Sequence, residues 1–327
     1  MKSGATVTVI VLPILLALAL LSLLCGAVWL RPAEFVGHDP LAQVARLILL
    51  DLRLPRLVLA LLVGGALGLS GAVFQGLTRN PLADPALLGV SMGAVFGAVM
   101  SIYFGLASHL AIATPLSGLA GATLSILLTF GLASGGSTLT LILAGAAVST
   151  LMAALTSLAL NLAPNPYAAF EITTWLMGSL ADKSWTHVVV AGPFILAGMV
   201  LLAFTGRSLD ALSLGEAQAA SLGVNVPRLY LLAFTGSALA VGAATSTAGA
   251  IGFIGLAAPH LVRPLVGHQP RRILLPATLA GAALLIAADI ITRLIHTGEE
   301  LKLGVFTSLL GAPFFFWLVL RQRRSAP

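Results

Sequence analysis

Charge is what this chain is short of. Asp, Glu, Lys and Arg make up 9% of its 327 residues against 58% hydrophobic residues, and a mean hydropathy of +1.04 excludes a water-soluble globule with a polar exterior. Cysteine is nearly absent: Cys25 stands alone, which removes any intrachain disulfide and any cysteine-based metal cluster. The lysines are Lys2, Lys183 and Lys302, and none ends a G-x-x-x-x-G-K-[ST] loop, so the chain has no such cradle for nucleotide phosphates. The net charge of +6 is scattered between apolar runs and is not interleaved with aromatics, which argues against a nucleic-acid partner. No clustered nucleophile, acid–base pair or metal set of the kind a membrane enzyme needs is present. His109, His187 and His296 share no helical face and read as interfacial residues before ligands.

What is abundant is apolar length. A hydrocarbon core of roughly 30 Å takes about 20 apolar residues per helix. Suitable stretches run Val7 to Leu30, Leu57 to Leu77, Ala86 to Phe104, Ile112 to Leu132, Leu139 to Leu162, Trp185 to Phe204, Leu229 to Thr247, Ala250 to Val266, Ile273 to Ile295 and Leu303 to Leu320. The expected fold is an all-α polytopic membrane protein of about ten transmembrane helices, residues 1–327 forming one domain. Lys2 before the first run raises a signal peptide as an alternative, but the run exceeds a typical h-region and Leu24 is a poor cleavage-site residue, so a retained helix is expected.

With an even number of spans both termini share a side, and Arg321, Arg323 and Arg324 after the last one place that side in the cytoplasm. Arg79, Arg207, Arg228, Arg271 and Arg272 then fall inside. Arg46, Arg53, Arg56 and Arg293 come out on the opposite face, against the positive-inside bias. Two readings stand side by side for Arg53, Arg56 and Arg293: snorkelling at helix ends, with Asp289 placed to pair with Arg293, or a basic outer rim that steers an acidic soluble partner. On the inner face, residues 204–228 are too polar and too short to span. Leu209 to Leu222 is helix-compatible, and Gly223 is a helix stop. It lacks a basic face for anionic lipid, which favours a protein partner over a membrane-surface connector. RNPLADP, residues 79–85, reads as a tight turn, with Asn80 and Asp84 as turn or cap residues.

The segments RLPR, SGAVFQGLTRNPLADPALLGVSMGA, LILAGAAVS, WLMGSL, LGEAQAASLGV, GAIGFIGLAAPHLVR, LLPATLAGAALLIAADIITR and LGVFTSLLGAPFFFWLVL resemble, in order and spacing from about Arg53 onward, the permease subunits of bacterial type II ATP-binding-cassette importers for cobalamin, haem and ferric siderophores. The resemblance implies a transmembrane permease working as a homodimer in the bacterial inner membrane, with two ATPase subunits beneath and a periplasmic binding protein above. It implies no enzyme activity and no cofactor on this chain, ATP and Mg²⁺ being held by the partner ATPase. Leu209 to Gly223 resembles the segment that docks in the ATPase, with Leu214, Gly215, Glu216, Ala217, Ala220, Leu222 and Gly223 as coupling candidates. Arg53, Arg56 and Arg293 are the implied docking residues for the binding protein. Asn80, Leu82 and Thr138 are candidates for a cytoplasmic gate. FTSLLGAPFFFWLVLRQRR and LGVNVPR look most similar to haem-importer permeases, so haem is the expected cargo, with ferric siderophore and cobalamin next. One departure from the family pattern is Lys302, where proline is usual before the last helix. The rival class is an ion-coupled secondary transporter, which would bury carboxylates at mid-membrane, whereas most acidic residues here fall between spans.

Overall fold

The computed structural model describes residues 4–26, 29–31, 40–85, 89–110, 112–134, 138–295 and 300–325. Every regular element among them is helical: α1 (Gly4–Leu24), α2 (Pro40–Leu47), α3 (Leu54–Leu77), α4 (Val90–Tyr103), α5 (Leu106–His109), α6 (Ala113–Ala133), α7 (Thr138–Asn161), α8 (Pro166–Leu176), α9 (Trp185–Phe204), α10 (Gly206–Leu212), α11 (Glu216–Ser221), α12 (Val226–Ser237), α13 (Ala243–Ala248), α14 (Ile254–Val266), α15 (Pro270–Leu294) and α16 (Leu303–Ser325). Seven continuous helical runs are long and apolar enough to cross a bilayer, and Val90–Tyr103, Ile254–Val266 and the Leu303–Phe314 part of α16 are shorter apolar stretches. Together they occupy the ten stretches expected from the sequence. α4 and α14 are the short ones, each preceded by a residue with positive φ, Gly89 and Phe253.

The helix containing Arg56 begins earlier than expected. Pro55 was placed in a first turn, yet the run is helical from Pro40 because a π-helical segment, Ile48–Arg53, joins α2 to α3. The widened turn accommodates a residue with no N–H to donate.

α3 is the hub, with 83% of its candidate span buried, and packs on α15, α14 and α9. Small residues allow the approach. A methyl group on Gly64 would meet the Gly281 carbonyl of α15, and one on Gly71 would collide with the Gly255 carbonyl of α14. Polar ties sit inside this packing. The Ser70 and Ser237 hydroxyls are 2.8 Å apart between α3 and α12. Gln75 donates to the Leu256 carbonyl (3.3 Å) and accepts from the Arg263 guanidinium (2.6 Å), which gives the intramembrane Arg263 a structural partner. Phe74 and Phe234 meet edge to face, their centroids 5.2 Å apart, and both are fully buried. A second bundle of α4, α6 and α7 packs beside this hub.

Candidate functional site: two ends joined by α15

Arg56 opens α3 and Arg79 follows its last turn, so the candidate residues divide between two ends about 36 Å apart for a helix of 24 residues.

At the Arg56 end, Arg53, Arg56 and Arg293 line one hollow of about 280 Å³ together with Asp182, Lys183 and Glu300. The three arginines do not stand free on a rim. Arg53 and Arg293 are 7% and 8% exposed. Arg53 donates to the Leu23 carbonyl at the end of α1 (2.7 Å). Arg293 donates to the Ser22 carbonyl (3.0 Å), the Ser22 hydroxyl (2.6 Å) and the Cys25 carbonyl (3.1 Å), and pairs with Asp289 at 2.8 Å one turn earlier. These cations satisfy carbonyls left open at the C-terminal turn of α1. Arg56 bridges Asp289 at 2.8 Å and Glu300 at 2.9 Å. Asp289, the acidic side chain buried among the described residues, is therefore held between two guanidiniums. Sequence reading foresaw the Asp289–Arg293 pair but missed Asp289 to Arg56, Glu300 and Lys183, because loop closure between α3 and the segment before α16 carries no local signal. Burial pushes the Lys183 ammonium below its ordinary pKa, with neighbouring Asp182 acting in the opposite direction.

A second hollow at this end, of about 310 Å³, is lined by Tyr167, Phe170 and Trp175 of α8 together with Lys183 and Lys302. Asn165 positions α8, its side chain accepting from the Ala168 N–H at 2.9 Å, a standard N-cap followed by Pro166 at the first turn. Glu171 and Asp182 sit at its exposed edge. Among the described residues no three His, Cys, Asp or Glu side chains converge as a metal set. The His187 ring accepts from the Ser184 N–H at 3.2 Å, a helix-start role. His296 lies outside the described residues.

At the opposite end the polar connector folds as two short helices, α10 and α11, where the sequence suggested helical structure from Leu209 to Leu222. The break falls at Ser213 to Gly215 because Gly215 takes φ +112°, closed to residues with a Cβ. α10 seats fully buried Leu209 and Leu212 on the start of α15 and the end of α3. α11 ends in a Schellman motif: Val224 N–H reaches the Ala219 carbonyl (3.0 Å) and Gly223 N–H the Ala220 carbonyl (2.9 Å), with Gly223 at φ +83°. Leu214 and Leu222 are 63% and 65% exposed, and Ala217, Ala220 and Gly223 are exposed beside them. Half-buried Glu216 opens α11, the Tyr230 hydroxyl 3.4 Å from its carboxylate. Of the gate candidates, Asn80 accepts from the Leu82 N–H (2.9 Å) in the expected turn, and Leu82 is half-buried. Thr138 opens α7, and its side chain lies outside those described.

Buried ion pairs at one end, a polar two-helix connector with two exposed leucines at the other and a glycine-packed helical bundle between them define a polytopic membrane protein. A model of the FecCD transport family matches residues 14–321, and the chain belongs to that family. The hemin transport system permease protein HmuU of Yersinia pestis is 40% identical over 283 residues, covering 85% of this chain and 84% of that protein. The cobalamin import system permease protein BtuC of Halobacterium salinarum is 41% identical over 285 residues, covering 86% and 75%. Among solved structures, an inward-facing metal-chelate type ABC transporter superposes with a TM-score of 0.85 at 32% identity over 97% of this chain and 99% of its own. The chain is thus a multi-pass permease subunit of an ABC importer of the metal-chelate, haem, siderophore or cobalamin type.

Proposed function

We propose that two copies of this chain form a pore in the bacterial inner membrane, both termini cytoplasmic, that receives haem from a periplasmic binding protein at the Arg56 end. Two ATPase subunits engage α10 and α11 at the cytoplasmic end and hydrolyse Mg²⁺-ATP. The chain itself binds no cofactor, and its charged groups are used to hold helices and partners.

The observation that carries the ATP-coupled reading is α11: a C-capped helix with a fixed left-handed exit, with Ala217 and Ala220 on it and Leu214 and Leu222 flanking it all offered to solvent. Exposed leucines on both flanks of one short helix suit a protein surface. At the other end, Arg56 is the docking residue with an exchangeable partner, because its Glu300 neighbour is 44% exposed and an acidic side chain of the binding protein can take that place. Arg53 and Arg293 set the shape and field of the same hollow. Asn80, Leu82 and Thr138 narrow the cytoplasmic exit.

Haem as the cargo is supported by the second hollow, whose three aromatic side chains suit a flat ring and whose two ammoniums, set beside the Glu171 and Asp182 carboxylates, can meet carboxylates on its edge. Relatives named for haemin, cobalamin and ferric dicitrate stand at 40%, 41% and 38% identity, so overall similarity does not choose among them. Uptake into proteoliposomes decides: the complex is reconstituted with its ATPase, loaded binding protein outside, ATP inside, and haem, a ferric siderophore and cobalamin offered in parallel. ATP-dependent accumulation of haem alone is expected. Accumulation of either other cargo instead replaces the haem assignment, and uptake driven by a proton gradient without ATP sinks the importer reading.

A further inference from the structure

α15 begins without a competent cap of its own. Its N-cap residue is Gln269, whose side chain makes no cap bond, and Pro270 follows in the first turn with no N–H to offer. Arg271 is the first residue of the helix with an open donor. That donor is met from another element: the Arg271 N–H donates to Asp210 Oδ1 at 2.9 Å, and the Gln269 side-chain amide donates to Asp210 Oδ2 at 2.8 Å. Asp210 lies in α10, on the turn between the buried anchors Leu209 and Leu212. An aspartate at this place does what an N-cap aspartate does, satisfying an orphan N–H and setting a negative charge against the positive end of the helix dipole.

α15 then runs for 25 residues, about 37 Å, and its last turns carry Asp289 and Arg293, the two residues that hold Arg56 and the end of α1. Along its length it is locked to α3 by the close approach of Gly64 to Gly281 and of Gly68 to Ala277. One continuous helix therefore has the ATPase-facing segment clipped to its first turn and the arginine hollow built on its last.

We propose that Asp210 is a positioning residue for transport: it ties α10 to α15, so that a displacement of the coupling segment moves α15 as a unit and reaches the arginine hollow, and binding-protein docking acts back along the same helix. Coupling of this kind is reciprocal between the two ends. The proposal rests on the reading of α10 and α11 as the ATPase contact and of Arg56 as the docking end.

The test uses the full reconstituted complex, with ATP hydrolysis measured with and without loaded binding protein and cargo counted per ATP consumed. Asp210→Ala is expected to lower stimulation by the binding protein and cargo per ATP about fivefold, the scale set by one lost helix cap. Asp210→Asn keeps an acceptor for the Arg271 N–H and can meet a flipped Gln269 amide, so it is expected to recover most of the coupling. Full coupling in Asp210→Ala, or equal loss in Asp210→Asn and Asp210→Ala, overturns the proposal. Should Asp210→Ala fail to assemble, Gln269→Leu removes one of the two bonds and leaves α10 unaltered; it must lower cargo per ATP, and wild-type coupling there overturns the proposal. A wild-type complex with no stimulation by the binding protein would sink the importer reading itself, whereas a coupled wild type beside a coupled Asp210→Ala sinks the clip alone.

Discussion

Arg56 and Asp289 stand 233 positions apart in sequence and 2.8 Å apart in space. Asp289 also neutralises Arg293, so a single buried carboxylate keeps two guanidiniums compatible at the junction of α1, α3 and α15. Asp289→Ala would leave those cations facing each other with one counter-charge fewer. The expected cost is about 3–5 kcal/mol, the scale for removing one partner of a buried pair. Thermal unfolding of the purified permease in detergent measures it. The double variant Asp289→Ala/Arg293→Met should recover part of the loss, since Arg56 then keeps Glu300 alone, and strict additivity of the two changes would contradict the shared role.

The Glu300 side chain is 44% exposed and that of Arg56 is 12% exposed, so the carboxylate can leave while the guanidinium stays. Arg56→Glu should weaken docking of the binding protein, more at low than at high ionic strength because salt screens the long-range part of the attraction. Glu300→Gln has the opposite expected sign: it removes an internal competitor for Arg56 and should tighten docking severalfold. Titrating labelled binding protein against the complex at two salt concentrations reads both. Unchanged affinity in Arg56→Glu at both salt concentrations would remove Arg56 from the docking surface.

The membrane class was legible in the sequence because a bilayer imposes length and hydropathy on each span separately, and all ten stretches carry helices. Gly223 as a stop and the Asp289–Arg293 spacing were legible for the same reason: caps and i,i+4 pairs are local. The Asp210 clip on Arg271, the Glu300 bridge to Arg56 and the burial of Arg53 against Leu23 were not. Each joins elements distant along the chain, and an arginine at a helix end reads the same whether it meets water, lipid or the carbonyls of another helix. The π-helical entry to α3 was hidden by Pro55, whose ordinary meaning is a helix start.

Glycines that look alike in sequence should divide sharply by what surrounds them. A methyl group at Gly71 meets the Gly255 backbone, which cannot step aside, whereas nothing lies within 4 Å of one at Gly131 in α6. Gly71→Ala should force α3 away from α14 and abolish a stable permease. Gly131→Ala should be neutral or stabilise by up to about 1 kcal/mol through helix propensity. Folded yield and thermal midpoint after solubilisation compare the two, and equal behaviour would argue against the close approach.

Gly223 separates steric from conformational requirements. A side chain there would have open space, with nothing within 4 Å, but would have to adopt φ +83°. The left-handed conformation costs an ordinary residue roughly 1–2 kcal/mol and a β-branched one more, and it is what turns the chain from α11 towards the N-cap at Asn225 of α12. Gly223→Val should therefore unwind the Schellman turn and leave α11 without a fixed direction, so that the ATPase still hydrolyses ATP while cargo moved per ATP falls. Gly223→Asn tolerates the conformation and should stay close to wild type. Parallel measurement of hydrolysis and uptake in proteoliposomes distinguishes the cases: loss in both variants would make the absence of a side chain, and so a tight partner surface, the requirement at this position, while coupling retained in Gly223→Val would show that the exit angle of α11 does not matter to transport.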